Sequence, residues 1–305
     1  MAKITVLAGS ASVQIAKNLA VKLDASYVES LLRTFPDGES KLTADLRRVK
    51  GKIIVVQSMH PPVDTHLLHA VLLITKAKEI TSEITAVIPY IGYARQDREF
   101  LDGEIVTIKA VAGMLRSAGA KRIITVDIHS KNALKKLGRG AINVSAIPIL
   151  VARVKKMRLK NPLVVSPDMG GKNRAAEFAK ILGTEYEALV KKRDRVTGKV
   201  HITTSEFDSI LGRNVILVDD MISTGSSIVK AAKFLDSKGC GRILVVCTHA
   251  LLVNGAEKKI KDAGVFGIIS ANTIPRSKSS VDVSEAIAQT VLNRSVRKVR
   301  NTRAL

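Results

Sequence analysis

The chain has 305 residues, of which 46% are hydrophobic, and this length is more typical of two domains than of one. Its apolar runs, such as 70–74, are far shorter than the roughly 18 residues that cross a bilayer, so we expect no membrane association. The apolar run near the N-terminus is too short for a secretory signal, so we expect a cytoplasmic protein. The net charge of +22 favours phosphorylated partners, whereas the 3% of aromatic residues leave little material for base stacking and disfavour nucleic acid.

Short strands alternate with helical segments along the whole chain. Runs rich in Val and Ile lie at 52–58, 84–90, 122–130, 162–168, 214–220 and 242–248, and each leads into a segment with helical spacing. This alternation predicts an α/β fold of two similar domains, each a mainly parallel sheet flanked by helices. The pattern passes from one half to the other near 142–148, so we predict domains at 1–143 and 144–305, with the last helix free to pack back onto the first domain.

The stretch VDDMISTGSS at 218–227 follows a buried strand and opens a helix. Its backbone N–H groups, hydroxyl groups and helix N-terminus together predict a phosphate loop, formed by Ser223, Thr224, Gly225, Ser226 and Ser227. The preceding Asp219 and Asp220 would repel a phosphate unless they bind hydroxyl groups or a metal ion. The stretch therefore predicts a sugar-phosphate site with the aspartates on vicinal hydroxyls, and the alternative is that the aspartates only cap the helix.

Carboxylates also follow two other predicted strands. Asp127 and His129 stand two residues apart in the run 122–130, so we expect both side chains on one face of the strand, in an arrangement suited to Mg²⁺ held largely through water or phosphate oxygens. A structural, hydrogen-bonded histidine is the alternative. Asp168 precedes Gly170 and Gly171, which permit a turn and the close approach of a phosphate, and here the alternative is a simple Asp-Gly turn.

The chain resembles the ribose-phosphate pyrophosphokinase family, which has the type I phosphoribosyltransferase fold. The resemblance rests on five stretches in the order and spacing of the family: FPDGES at 35–40, AVIPYIGYARQDR at 86–98, TVDIHS at 125–130, VVSPDMGG at 164–171 and VILVDDMISTGSS at 215–227. It implies transfer of the β,γ-pyrophosphoryl group of ATP to the anomeric hydroxyl of ribose 5-phosphate, which gives 5-phosphoribosyl 1-pyrophosphate and AMP for nucleotide biosynthesis. It also implies Mg²⁺ near Asp127, His129 and Asp168.

The resemblance assigns further residues. ATP would be held by one segment of the chain and by a turn from a neighbouring subunit, which implies a homo-oligomer: Arg95, Gln96 and Asp97, with Phe35, Asp37 and Glu39 from the neighbour. Lys191 and Arg193 would fold over the transferring group as catalytic cations, although a solvated basic loop is the alternative.

Three positions depart from the pattern of many family members: Ser223 replaces an aspartate, Ser226 replaces a glycine, and Ser227 replaces a threonine, whose hydroxyl donor it keeps. We therefore assign Ser223 only a phosphate or ribose contact. Two other functions stay open from the sequence: a phosphoribosyltransferase that consumes the same activated sugar, and a non-catalytic regulatory subunit.

Overall fold

A computed structural model describes residues 3–193, 200–203, 210–275 and 280–301, with the backbone alone at 191–193, 200–203, 280 and 293–301. The chain divides into two compact units. The first comprises Met1–Ser145, Thr273–Pro275 and Asp282–Leu305, and the second comprises Ala146–Asn272 and Arg276–Val281. The domain limits 1–143 and 144–305 stay a prediction.

The elements alternate in chain order much as the apolar runs predict. The strands are β1 (Ile4–Ala8), β2 (Ser26–Glu29), β3 (Leu31–Thr34), β4 (Ser40–Thr43), β5 (Lys52–Val56), β6 (Ile84–Ile88), β7 (Arg122–Val126), β8 (Ala141–Val144), β9 (Pro162–Ser166), β10 (Tyr186–Ala188), β11 (Val190–Arg193), β12 (Val200–Thr203), β13 (Asn214–Ile222), β14 (Ile243–Ala250), β15 (Val265–Ala271) and β16 (Ser280–Val281). The helices are α1 (Val13–Lys22), α2 (Val63–Lys78), α3 (Thr107–Ala118), α4 (Lys131–Lys136), α5 (Ile147–Lys155), α6 (Lys172–Leu182), α7 (Ser226–Ser237), α8 (Ala256–Asp262) and α9 (Ser284–Asn301), and a 3₁₀ turn spans Met169–Gly171.

Each unit contains one six-stranded parallel sheet, and the two sheets share one topology. The strand order is β2-β1-β5-β6-β7-β8 in the first unit and β10-β9-β13-β14-β15-β16 in the second. In both units an antiparallel hairpin follows the second strand in chain order: β3 pairs with β4 after β2, and β11 pairs with β12 after β10. The predicted α/β fold of two similar, mainly parallel sheets is therefore confirmed.

The central strands are mainly apolar because parallel strands are covered on both faces. Every residue of β6 and of β14 is buried, and Cys247 lies within the core of the second unit. The helices contribute one apolar face each; in α3 this face includes Ile108, Val111 and Leu115. Among the described residues, no helix is both long and apolar enough to cross a membrane.

The last helix, α9, packs on α1 in the first unit. The Nδ2 of Asn18 donates to Oδ2 of Asp282 at 2.9 Å, and the Nζ of Lys22 lies 2.9 Å from Oε2 of Glu285. The C-terminal segment therefore belongs to the unit that also contains β1.

Strand order decides which strand ends meet in the second unit. β9 pairs in parallel with β13, from Pro162 beside Asn214 to Val165 beside Leu217. The chain order of the strands reverses at this pair, and ligands of open α/β sheets bind at the carboxyl ends of strands at such a point. The residues after β9 and at the end of β13 therefore border the crevice where a ligand is expected.

Candidate active site

The predicted phosphate loop lies between β13 and α7. The strand runs two residues further than predicted, to Ile222, so that Asp219 lies within it and pairs with Cys247 of β14. The loop then spans Ser223 to Gly225, and α7 begins at Ser226. Gly225 occupies the N-cap position without a side-chain hydrogen bond, so a bound anion would take the place that a capping oxygen has in most helices.

Both the backbone conformation of the loop and the packing around it require a glycine at position 225. Its φ of 75° is left-handed, and an added Cβ would lie 3.0 Å from Cδ1 of Ile260 and 3.4 Å from Cβ of Ala256. Helix α8 therefore packs directly against this glycine. The tight packing fixes the start of α7 against the neighbouring helix.

Asp219 and Asp220 form a largely buried acidic pair, with 22% and 6% of their side chains exposed. Burial raises the pKa of Asp219 above its ordinary value, the neighbouring Asp220 raises it further, and the guanidinium of Arg174 lowers it. The Nη1 of Arg174 lies 3.7 Å from Oδ1 of Asp219 and 3.6 Å from Oδ1 of Asp220. The arrangement places hydrogen-bond acceptors beside the loop with one shared counter-charge.

The alternative in which these aspartates cap α7 is wrong. The N-cap of α7 is Gly225, with no side-chain cap, and Oδ1 of Asp219 accepts instead from the N–H of Asp220 at 2.8 Å. The pair is held within the strand, one residue beside the other.

Asp168 lies two residues after the end of β9, the strand that pairs with β13. Its Oδ1 accepts from the N–H of Gly170 at 3.1 Å and its backbone oxygen accepts from Oγ of Ser166 at 2.7 Å. Gly171 packs over that serine, because an added Cβ would lie 2.3 Å from its Oγ. The carboxylate thus caps the 3₁₀ turn, as the Asp-Gly alternative proposed, and its place as a metal ligand stays a prediction.

In the first unit the expectation for Asp127 and His129 is wrong in its geometry. β7 ends at Val126, and Asp127 has a φ of 38°, so the alternation of side chains along a strand does not apply. Asp127 is buried, with 7% exposed, whereas His129 is exposed. A left-handed aspartate is tolerated because its short polar side chain bonds locally. Their role as metal ligands stays a prediction.

The segment Arg95–Asp97 is brought next to the residues after β7. Asp97 is buried, and its Oδ2 accepts from Oγ of Ser130, while its backbone oxygen accepts from Nδ2 of Asn132 at 2.8 Å. Arg95 and Gln96 are exposed. The carboxylate of Asp97 therefore holds the neighbouring loop, and the exposed pair before it is the part that can face a nucleotide.

Phe35, Asp37 and Glu39 form the turn of the β3–β4 hairpin. The N–H of Phe35 donates to the oxygen of Glu39 at 2.8 Å, and the N–H of Glu39 donates to Oδ1 of Asp37 at 3.1 Å. The guanidinium of Arg33 lies 5.1 Å from the centre of the Phe35 ring. Both carboxylates are exposed, as ligand contacts from a projecting turn require.

Lys191 and Arg193 lie in β11, where they pair with Ile202 and Val200 of β12. Their side chains lie outside the part of the chain that the structure describes. The position of their cationic groups stays a prediction.

Sequence reasoning missed two features of the second unit. The first is Arg174, which lies in the first turn of α6 with no acidic residue in that turn, and this uncompensated charge was the available signal. The second is a cavity of about 370 Å³ beside the loop, whose lining includes Thr224, Ser226, Lys230, Lys233 and Lys259. Its lysines add positive potential next to the phosphate loop.

The first unit has no carboxylate pair at the equivalent point of its sheet. The first residue of β5, Lys52, pairs with Ile4, and the first residue of β13, Asn214, pairs with Pro162. Counted from these equivalent starts, Gln57 and Ser58 correspond to Asp219 and Asp220. Both side chains are buried and bonded to backbone: Oε1 of Gln57 accepts from Ala11 N at 3.3 Å, and Oγ of Ser58 donates to Thr273 O at 2.6 Å. The acidic pair and its loop therefore belong to the second unit.

The fold and the loop define an α/β protein of two phosphoribosyltransferase-like units. A solved structure of phosphoribosylpyrophosphate synthetase from Mycobacterium smegmatis is similar, with a TM-score of 0.85 and 27% identity over 97% of this chain and 99% of that chain. The family profile for the N-terminal domain of ribose phosphate pyrophosphokinase matches residues 4–119, and that of the phosphoribosyl synthetase-associated domain matches 194–305.

Full-length relatives carry the same name. The chain is 36% identical to a ribose-phosphate pyrophosphokinase of Sulfolobus acidocaldarius over 94% of this chain and 99% of the relative. It is 39% identical to one of Methanopyrus kandleri over 95% of this chain and 99% of the relative. The chain belongs to the ribose-phosphate pyrophosphokinase family.

Proposed function

We propose that this enzyme transfers the β,γ-pyrophosphoryl group of ATP to O1 of ribose 5-phosphate and releases AMP. The observation that carries the proposal is the buried pair Asp219–Asp220 directly before the loop at α7, in a chain that matches its relatives over 99% of their length. The anomeric oxygen attacks the β-phosphorus, and the bond from that phosphorus to the α,β-bridging oxygen breaks. The products are 5-phosphoribosyl 1-pyrophosphate and AMP.

The second unit would bind the sugar phosphate. The 5-phosphate would lie at the start of α7, against Ser223, Thr224, Gly225, Ser226 and Ser227, where the helix dipole and loop N–H groups favour an anion. The ribose hydroxyls would donate to Asp219 and Asp220. Such binding orients the anomeric oxygen and lowers the entropy cost of reaction.

ATP would be held by Arg95, Gln96 and Asp97 together with the turn of a neighbouring subunit, in which Phe35 would stack on adenine and Asp37 and Glu39 would accept from its amino group. The exposed turn and the exposed Arg95 and Gln96 support this assignment. Exposed apolar side chains in β3 also support a contact with a neighbouring subunit: Leu31 is 70% exposed and Leu32 is 43% exposed. A second copy of the chain would cover them.

Mg²⁺ is the metal ion proposed for Asp127, His129 and Asp168. The described residues contain no group of three acidic, histidine or cysteine side chains that would hold a metal ion. Magnesium in phosphoryl-transfer sites needs only one or two carboxylates, because substrate phosphates and water supply the other ligands. Asp127 and His129 in the first unit, and separately Asp168 in the second unit, would each contact water or phosphate oxygens around Mg²⁺, which would offset charge on the transferring oxygens when bound.

Lys191 and Arg193 would supply the remaining positive charge. Phosphoryl-type transfer is catalysed mainly by positioning and by cations that stabilise charge on the transferring oxygens. Both residues lie in β11, and the β11–β12 hairpin follows the second strand of its unit in chain order, as the β3–β4 hairpin that carries Phe35 does in the first unit. This equivalent placement supports a ligand contact for both hairpins.

A coupled assay for AMP release tests the proposal. The full chain with ATP and Mg²⁺ should release AMP when ribose 5-phosphate is added, but not when ribose is added. If the chain instead consumes 5-phosphoribosyl 1-pyrophosphate with a nucleobase and releases no AMP from ATP, it is a phosphoribosyltransferase. If it does neither, it is a regulatory subunit. ATP and sugar phosphates as substrates support a cytoplasmic location, which cell fractionation would test.

The shared ATP site has its own test. A Phe35→Ala subunit and a Lys191→Ala subunit, each impaired alone, should regain part of the activity after mixing and subunit exchange. A mixed oligomer would contain some sites with an intact turn and an intact cation. No recovery in a mixture whose subunits demonstrably exchange would refute the sharing.

A further inference from the structure

The guanidinium of Arg174 lies within 4 Å of the carboxylates of both Asp219 and Asp220. Its Nη1 lies 3.7 Å from Oδ1 of Asp219 and 3.6 Å from Oδ1 of Asp220, and its side chain is 19% exposed. Two adjacent buried carboxylates repel each other and lose hydration, so they need a counter-charge. Both distances are longer than a hydrogen bond, so Arg174 supplies charge without using up the acceptor positions of these oxygens.

The placement of Arg174 opposes the preference of its own helix. It lies in the first turn of α6 beside Lys172, and no acidic residue lies in that turn. Cations are unfavourable at a helix N-terminus because of the helix dipole, so the charge does not serve the helix. The backbone beneath it is fixed, since Ala175, Phe178 and Ala179 of α6 are buried in the second unit.

We propose that Arg174 is the positioning residue of the ribose site and that it sets the preference for ribose over 2-deoxyribose 5-phosphate. This inference rests on the proposed function, because it takes Asp219 and Asp220 as the acceptors for the ribose hydroxyls. Because its charge lies within 4 Å of both carboxylates, Arg174 offsets their mutual repulsion and favours their ionised form, in which both act only as hydrogen-bond acceptors. A sugar that lacks one vicinal hydroxyl leaves one of these oriented acceptors without a donor, which costs affinity.

Binding measurements without ATP test the role apart from catalysis. Calorimetry would compare ribose 5-phosphate and 2-deoxyribose 5-phosphate on the full-length parent, Arg174→Gln, Arg174→Lys and Lys172→Gln. The last variant is the matched control, because Lys172 is exposed and carries the same charge in the same helical turn. Kinetics with ATP would add KM and kcat for ribose 5-phosphate.

Arg174→Gln should weaken ribose 5-phosphate binding by about 10- to 100-fold and reduce the preference for ribose over 2-deoxyribose. Lys172→Gln should stay within about twofold of the parent in both respects. Arg174→Lys should lie between them, because an ammonium keeps the positive charge but carries it on a flexible stem and lacks the planar guanidinium group. The loss should appear in KM for ribose 5-phosphate while KM for ATP is unchanged.

The inference is overturned if Arg174→Gln behaves as Lys172→Gln does, or if it weakens both sugars equally, since a general attraction for the phosphate predicts equal weakening. If Arg174→Gln does not fold, Arg174→Lys decides, and an unchanged preference in that variant overturns the inference. A parent that binds ribose 5-phosphate but releases no AMP refutes the proposed function alone. A parent that does not bind the sugar refutes both.

Discussion

Gly225→Ala should destabilise the second unit and displace the start of α7. The alanine would have to keep a φ of 75°, which costs about 1–2 kcal/mol for a residue with a Cβ. The methyl group would also lie 3.0 Å and 3.1 Å from the side chain of Ile260, and such overpacking costs about 1–3 kcal/mol. Added together, the backbone cost and the packing cost should lower the free energy of unfolding by about 2–5 kcal/mol.

Gly255→Ala separates the two costs. Gly255 caps α8 with a φ of 72°, and nothing lies within 4 Å of an added Cβ, so only the backbone cost of about 1–2 kcal/mol applies. Urea unfolding followed by circular dichroism would compare both variants with the parent, and calorimetry would measure ribose 5-phosphate binding. We expect weaker sugar binding in Gly225→Ala only. If Gly225→Ala loses no more stability than Gly255→Ala, the packing of α8 against the loop does not matter as argued.

Four further predictions concern the acidic pair, the metal and the cations. Asp220→Asn should weaken ribose 5-phosphate binding by about 10- to 100-fold and leave ATP binding nearly unchanged in calorimetry, and equal sugar affinity would exclude a hydroxyl contact. The raised pKa of Asp219 means that the folded chain keeps a proton that the unfolded chain loses above 3.8, so stability falls as pH rises towards the raised value. Asp219→Asn should accordingly increase the Tm at pH about 8 more than at pH about 5, and an equal gain at both would contradict the titration. EDTA should abolish AMP release, and Mg²⁺ should restore it. His129→Ala should raise the concentration of Mg²⁺–ATP that the enzyme requires. A large fall in the Tm of His129→Ala with unchanged kinetics would instead show that the histidine is structural. Replacing Lys191 and Arg193 together by alanine should lower kcat by about 10³-fold with little change in ribose 5-phosphate affinity, and near-normal turnover would refute their role.

The sequence predicted the fold well because its signal is local. A parallel strand covered on both faces is mostly apolar, so runs such as 84–90 and 242–248 stand out without any knowledge of their neighbours. The loop at 223–227 was equally visible, since a glycine among hydroxyl residues after a strand has few other uses. Family membership followed from the order of such stretches along the chain.

Local patterns failed where a strand ended earlier than its composition indicated. The run 122–130 is apolar enough to be a strand, yet β7 stops at Val126 and Asp127 turns into the left-handed region. The alternation that would have placed Asp127 and His129 on one face ends with the strand, and one became buried while the other stayed exposed. Strand ends depend on where the neighbouring strand stops offering partners, and composition does not encode that.

By itself, then, the sequence determined most of the strands, the position of the loop and acidic pair after β13, and the family, while the binding of phosphate by that loop stays a prediction. Tertiary structure alone brought Arg174 within 4 Å of Asp219 and Asp220, because this contact exists only when β9 and β13 are neighbours. It also decided that Gly225 packs against Ile260 of α8. Contacts between residues so far apart along the chain follow from strand order and helix packing, which are set by the burial of the whole core and leave no periodic trace in any one segment.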